Sequence, residues 1–215
     1  MPRSPRIHAS DLIYHVFSRG NNKEAVFFEE ENYLRFLANL ERFRQKFQYS
    51  LYAYCLMPNH FHLLLKVQSI PLSKIMQVLM TAYTMYVNKK FDRAGHIFQG
   101  RYKSIIVEKE SYLFQVHRYI HLNPVKAGLV QTPQIYPWSS YQDYLRQRKD
   151  MPVLDVAEIL GMFSENPDNQ KKLLQEFTAE ATKEEFDPFQ KQTRGILGSQ
   201  KFMLKLTKVL RGVRP

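Results

Sequence analysis

Tyr49-Ser50-Leu51-Tyr52-Ala53-Tyr54-Cys55-Leu56-Met57-Pro58-Asn59-His60-Phe61-His62-Leu63-Leu64-Leu65-Lys66-Val67 is the stretch on which the reading of this chain turns. Aromatic and aliphatic residues crowd positions 49–56 and again 60–67, which predicts two strands. Pro58-Asn59 interrupts the run, so the strands are expected to pair antiparallel. In a strand, residues two apart point to one face. His60 and His62 then stand side by side, and Phe61 goes to the opposite face. Two imidazoles aimed at one point make two-thirds of a metal site. The pair reads equally well as two partly buried histidines with ordinary partners, in a chain with seven His.

Working outward, residues 11–18 are rich in β-branched and aromatic types and read as an earlier strand, followed by the turn Arg19-Gly20-Asn21-Asn22-Lys23. Tyr33, Phe36, Leu37, Leu40, Phe43 and Phe47 recur at helical spacing, predicting a helix over 30–47. Downstream, Leu72, Ile75, Met76, Leu79, Tyr83 and Val87 mark a helix over 72–90, before a strand near 103–107. A further helix is expected over 110–121, ended by Asn123-Pro124. The order β-α-β-β-α-β is that of an α+β, ferredoxin-like antiparallel sheet with helices on one face. That fold hosts many functions and settles none.

Residues 1–150 are taken as the main domain and 151–215 as a small helical C-terminal extension. In the latter, 153–163 and 167–181 read as short helices and 182–192 as loop. Residues 196–211 read as a last helix, basic along Lys201, Lys205, Lys208 and Arg211. Such a face is a solvated surface or a DNA contact.

The formal charge is +11, and residues 1–150 carry 21 basic against 11 acidic side chains. The excess therefore sits with the histidine pair and favours a polyanionic partner, nucleic acid before a membrane surface. A single cysteine, Cys55, rules out an internal disulfide framework and a thiolate zinc cluster. Neither a signal peptide nor a spanning apolar run is visible, so a cytoplasmic, nucleoid-associated protein is expected.

A third ligand is sought on the helix near 110–121. Tyr119 and Asn123 lie four apart, on one helical face. The Asn carbonyl oxygen ligates hard cations, so His60, His62 and Asn123 form a mixed nitrogen–oxygen set suited to Mg²⁺ or Mn²⁺. Tyr119 would hang beside that metal. A phenol, with a pKa of about 10, is a weak nucleophile that a cation on the scissile phosphate would help. Tyrosine attack conserves the phosphodiester bond energy, so a strand can be rejoined. Tyr112 is a poorer candidate, since Val116 four residues on cannot ligate. His117 and His121 with His60 and His62 form an alternative zinc site, for a hydrolase.

Four separated stretches carry a family resemblance: Tyr14-His15-Val16-Phe17-Ser18-Arg19-Gly20-Asn21-Asn22, Met57 to Leu64, Phe98-Gln99-Gly100-Arg101-Tyr102-Lys103-Ser104, and Tyr119-Ile120-His121-Leu122-Asn123-Pro124 through Val130. Over about residues 8–145 the chain resembles the REP-associated tyrosine transposases, relatives of the single-tyrosine HUH transposases. The resemblance implies a ferredoxin-like domain that cuts single-stranded DNA near an imperfect hairpin. It also implies a 5′-phosphotyrosine intermediate, a free 3′-hydroxyl and a need for Mg²⁺ or Mn²⁺. It maps His60 and His62 to the HUH histidines, Tyr119 to the nucleophile and Asn123 to the polar residue four positions on. The implied oligomeric state is monomer or homodimer. Beside it, Arg19, Asn21, Asn22 and Lys23 read as a phosphate-facing turn. Gln99, Arg101, Tyr102 and Lys103 read as a single-strand contact, with charge for phosphates and a ring for bases. A non-catalytic hairpin-binding regulator is the competing account.

Overall fold

A computed structural model describes residues 9–146, 148, 154–180 and 186–212. In chain order the first elements are β1 (Ile13–Arg19), α1 (Glu30–Phe47), β2 (Ser50–Met57), β3 (His60–Lys66), α2 (Leu72–Lys90), β4 (Lys103–Val107) and α3 (Lys109–Lys126). The sheet runs β2-β3-β1-β4 with every neighbouring pair antiparallel, the α+β ferredoxin-like arrangement expected. β1, β2 and β3 are almost wholly buried, because helices cover both faces.

The two crossover helices share one face. Phe36 of α1 packs 5.0 Å from Phe61 and 5.2 Å from Tyr83 of α2, ring centre to ring centre. Phe61 is fully buried, and truncating such a ring costs about 3–5 kcal/mol. The third helix, α3, lies across the other face, on β2 and β3, so the helices do not keep to one face as expected: α3 has its own buried stripe to cover. It buries Leu113, Val116, His117, Ile120, His121 and Pro124, a stripe at helical spacing.

Asn123-Pro124 does not end α3 as expected; the helix runs on to Lys126. Pro124 has no amide hydrogen for the carbonyl one turn back. That loss falls in the last turn, and Pro124 is itself buried, so tertiary packing overrides the local signal.

Beyond α3 come α4 (Tyr141–Leu145), α5 (Val156–Gly161), α6 (Pro167–Ala179), α7 (Pro188–Lys191), β5 (Ile196–Leu197) and α8 (Gln200–Gly212). The boundary drawn at 150/151 lies outside the described residues, as do 182–185 of the expected loop, whose later part holds α7, and residue 181 at the end of the expected helix before it. The last helix starts later than expected. Ile196 and Leu197 instead form a short fifth strand, parallel to Ile106 and Val107 of β4. They cover an edge whose backbone groups would otherwise lack partners. Ser199 then donates from its amide to the Glu108 carboxylate at 2.7 Å, and α8 begins. No described helix is long and apolar enough to cross a membrane.

Candidate active site

Register decides what meets at the sheet surface. Phe17 pairs with His62 and Arg19 with His60 across β1 and β3, so all four project to the α3 face together with His15. Lys103 and Ile105 of β4 join them opposite Phe17 and His15. The His60 and His62 rings are 5.0 Å apart and perpendicular. Phe61 goes to the opposite face, as the alternation requires.

From α3, the Tyr119 ring meets His62 edge-on at 5.8 Å and His15 at 5.9 Å. Tyr119 is half-buried, and the Lys126 ammonium lies 5.2 Å from its ring centre. Asn123 lines the same cleft as His60, His62 and Tyr119, and donates from its side-chain amide to the Tyr119 carbonyl at 2.7 Å. The structure thus gathers all four expected residues at one cleft.

The alternative zinc set does not assemble. His117 and His121 belong to the buried stripe of α3. His121 shares a 2.8 Å hydrogen bond with Ser140, and His117 packs on Tyr144 of α4. Neither lines the cleft. Among the described residues no group of three or more His, Cys, Asp or Glu is placed to hold a metal ion.

Local bonding and burial set the state of the histidine pair. The His60 Nδ1 lies 2.6 Å from Asn59 Oδ1, which can only accept, so Nδ1 carries the proton and Nε2 keeps its lone pair. The His62 Nδ1 lies 2.9 Å from His15 Nε2. Burial first, and then Arg19, bring His60 down to about 4. Burial, with His15 and His60 adding to it, holds His62 well below the ordinary imidazole value. Both rings are therefore neutral near pH 7, the form that binds metals.

The cleft measures about 1330 Å³, larger than a small-molecule pocket, and among the described residues no carboxylate lines it. Arg19, Gln99, Arg101 and Lys103 do, all exposed. The turn residues fit their expected part less well. Asn21–Lys23 form a single 3₁₀ turn, with Asn22 and Lys23 at positive φ. The amides of Asn21 and Lys23 bond to the Ile97 and Gly20 carbonyls, so they are spent inside the protein instead of facing a phosphate. Asn21, Asn22 and Lys23 lie outside the cleft lining but are exposed beside it in sequence. A side chain on Gly20 would stand 2.1 Å from the Glu24 carbonyl, so only glycine closes the turn. Tyr102, expected to stack on bases, is 4% exposed and belongs to the core. Its alternation in the strand approach turns it inward while Arg101 and Lys103 face out.

Three site residues escaped the sequence reading. His15 and Phe17 stand on β1, where only the register reveals that they face the histidine pair. Phe189 of α7 packs 4.5 Å from Phe17 and 5.9 Å from Tyr119, arriving from far along the chain with no local signal.

The family model described as "Transposase IS200 like" matches residues 8–123, more than half of the chain. A solved structure of a REP-associated tyrosine transposase bound to a REP hairpin aligns with a TM-score of 0.58 at 17% identity, covering 73% of this chain and 93% of that one. A putative transposase from Deinococcus radiodurans aligns with a TM-score of 0.39 at 20% identity, over 55% of this chain and 95% of its own. No curated protein matches the chain. The fold, the family model and the clustering of the expected residues converge: this chain belongs to the IS200-like transposase family.

Proposed function

We propose that the protein is a metal-dependent single-strand DNA transesterase, nicking and rejoining at hairpin-bearing sites through Tyr119. The observation that carries this is the edge-on approach of Tyr119 to His62 at 5.8 Å, in a large cleft lined by Arg19, Arg101 and Lys103. In the reaction the Tyr119 oxygen forms a bond to phosphorus, and the bond from phosphorus to the 3′ oxygen breaks. The phenol proton is lost to solvent and the leaving 3′ oxygen takes one up. One phosphodiester is exchanged for another, so a later 3′-hydroxyl can reverse the step.

The donor set fits a divalent cation. His60 and His62 supply neutral Nε2 atoms, and Asn123, anchored through its nitrogen, has its carbonyl oxygen to give. Neutral nitrogen and oxygen donors of this kind would suit Mn²⁺ or Mg²⁺. When bound, the cation offsets negative charge growing on the phosphate. Arg19, Arg101 and Lys103 hold the backbone, and the hairpin-bound relative supports hairpin DNA as the substrate.

The test is trapping. Incubation with labelled single-stranded hairpin oligonucleotides and Mn²⁺ should give a covalent protein–DNA adduct. Tyr119→Phe should abolish adduct and cleavage, by a thousandfold or more on the order of other lost nucleophiles, while DNA binding persists. Undiminished cleavage by Tyr119→Phe removes the assignment. A regulator that only binds would show binding with no adduct in either protein.

A further inference from the structure

His15 is a histidine the proposed chemistry does not use, and its surroundings are unusual. It is completely buried on β1, between the Phe17 and Phe189 rings, with centroids 5.6 Å from each. Its Nε2 lies 2.9 Å from His62 Nδ1, and the two rings stack at 5.1 Å. Its own Nδ1 has no hydrogen-bond partner among the described residues. An unpaired buried polar atom carries a free-energy cost. A hydrocarbon ring would fill the same aromatic niche without that cost. Packing alone therefore does not account for an imidazole here, and among the described residues its side-chain hydrogen bond is to His62.

That contact bears on ligation. A histidine that binds a metal through Nε2 must carry its proton on Nδ1, and the partner of that N–H fixes ring orientation. His60 has such a partner in Asn59 Oδ1. We propose that His15 is the corresponding positioning residue for His62: its Nε2 accepts the His62 Nδ1–H, aims the His62 Nε2 at the cation seat, and holds the ring in the ligating tautomer. This rests on the reading of His60 and His62 as metal ligands.

The pairing also explains the placement on β1. His15 is not directly opposite His62 but two residues from its cross-strand partner Phe17, on the same face. A diagonal neighbour of this kind stays within reach of a ring. It meets His62 from the flank and leaves the side towards His60 open.

The experiment measures Mn²⁺ affinity directly, by electron paramagnetic resonance of the free ion, on the full chain without DNA. His15→Phe, which keeps an aromatic ring but removes the acceptor, should weaken Mn²⁺ binding about 10–100-fold. His15→Gln, whose amide oxygen can take the place of Nε2, should recover most of it. If His15→Phe fails to fold, His15→Leu carries the same expectation. Equal affinity in His15→Phe and wild type overturns the proposal, and so does equal weakening in the Phe and Gln variants, which would mean packing alone. His62→Ala is the control. If it too leaves Mn²⁺ affinity unchanged, the cation seat itself falls, and this inference with it. If His62→Ala abolishes binding while His15→Phe does not, only the role of His15 is lost.

Discussion

The side-chain amide of Asn123 donates a 2.7 Å hydrogen bond to the main-chain carbonyl of Tyr119, one turn back on α3. A carbonyl can only accept, so the atom held there is the nitrogen and the oxygen is left over. The same bond ties the nucleophile's backbone to the helix tail. Asn123→Ala is therefore expected to weaken Mn²⁺ binding tenfold or more, about the scale seen for groups that hold a metal site together. Cleavage should fall in step. Mn²⁺ affinity equal to wild type would remove Asn123 from the ligand set.

The cationic rim gives a prediction about salt. Arg19, Arg101 and Lys103 line a cleft where no described carboxylate joins them, in a chain of net charge +11. Each phosphate neutralised releases counterions, so binding should weaken steeply as salt rises. Replacing Arg101 or Lys103 by Gln should lower the slope of log affinity against log salt by about 1 for each. Fluorescence anisotropy across a salt series reads this directly. A slope unmoved by both changes would place the DNA elsewhere.

What was legible in the sequence was whatever depends on near neighbours. The alternation His60-Phe61-His62 needs only the period of a strand, and the four-residue step from Tyr119 to Asn123 needs only the pitch of a helix. What failed depends on partners far along the chain. His15 joins the site through the pairing of β1 with β3, which strand pattern alone does not supply. Ile196-Leu197 forms a strand only because the β4 edge is there to receive it. The end of α3 departs from its local signal for the opposite reason: the proline's effect is real locally, but burial of Pro124 outweighs it. Tyr102 was read by residue type, and type does not say which way a ring points.

The buried stripe of α3 makes the protein acid-sensitive, in a manner separable from the cleft. Neither ring nitrogen of His117 has a hydrogen-bond partner among the described residues, and burial lowers its pKa to about 3. Its ordinary value is about 6.5, so between these two pH values the unfolded chain binds a proton that the folded chain refuses. Stability from this residue is thus fully present above about pH 6.5 and is lost as the pH falls towards 3. At pH 5 the loss relative to pH 7 is about 2 kcal/mol. His117→Leu removes the titrating group and two unpaired polar atoms while keeping an apolar filling against Tyr144. It should leave stability at pH 7.5 within about 1 kcal/mol of wild type or above it. It should also shrink the difference between pH 7.5 and pH 5 by about 2 kcal/mol. Urea midpoints at the two pH values measure both quantities. An unchanged acid loss in His117→Leu would show that this histidine already takes up its proton in the folded protein.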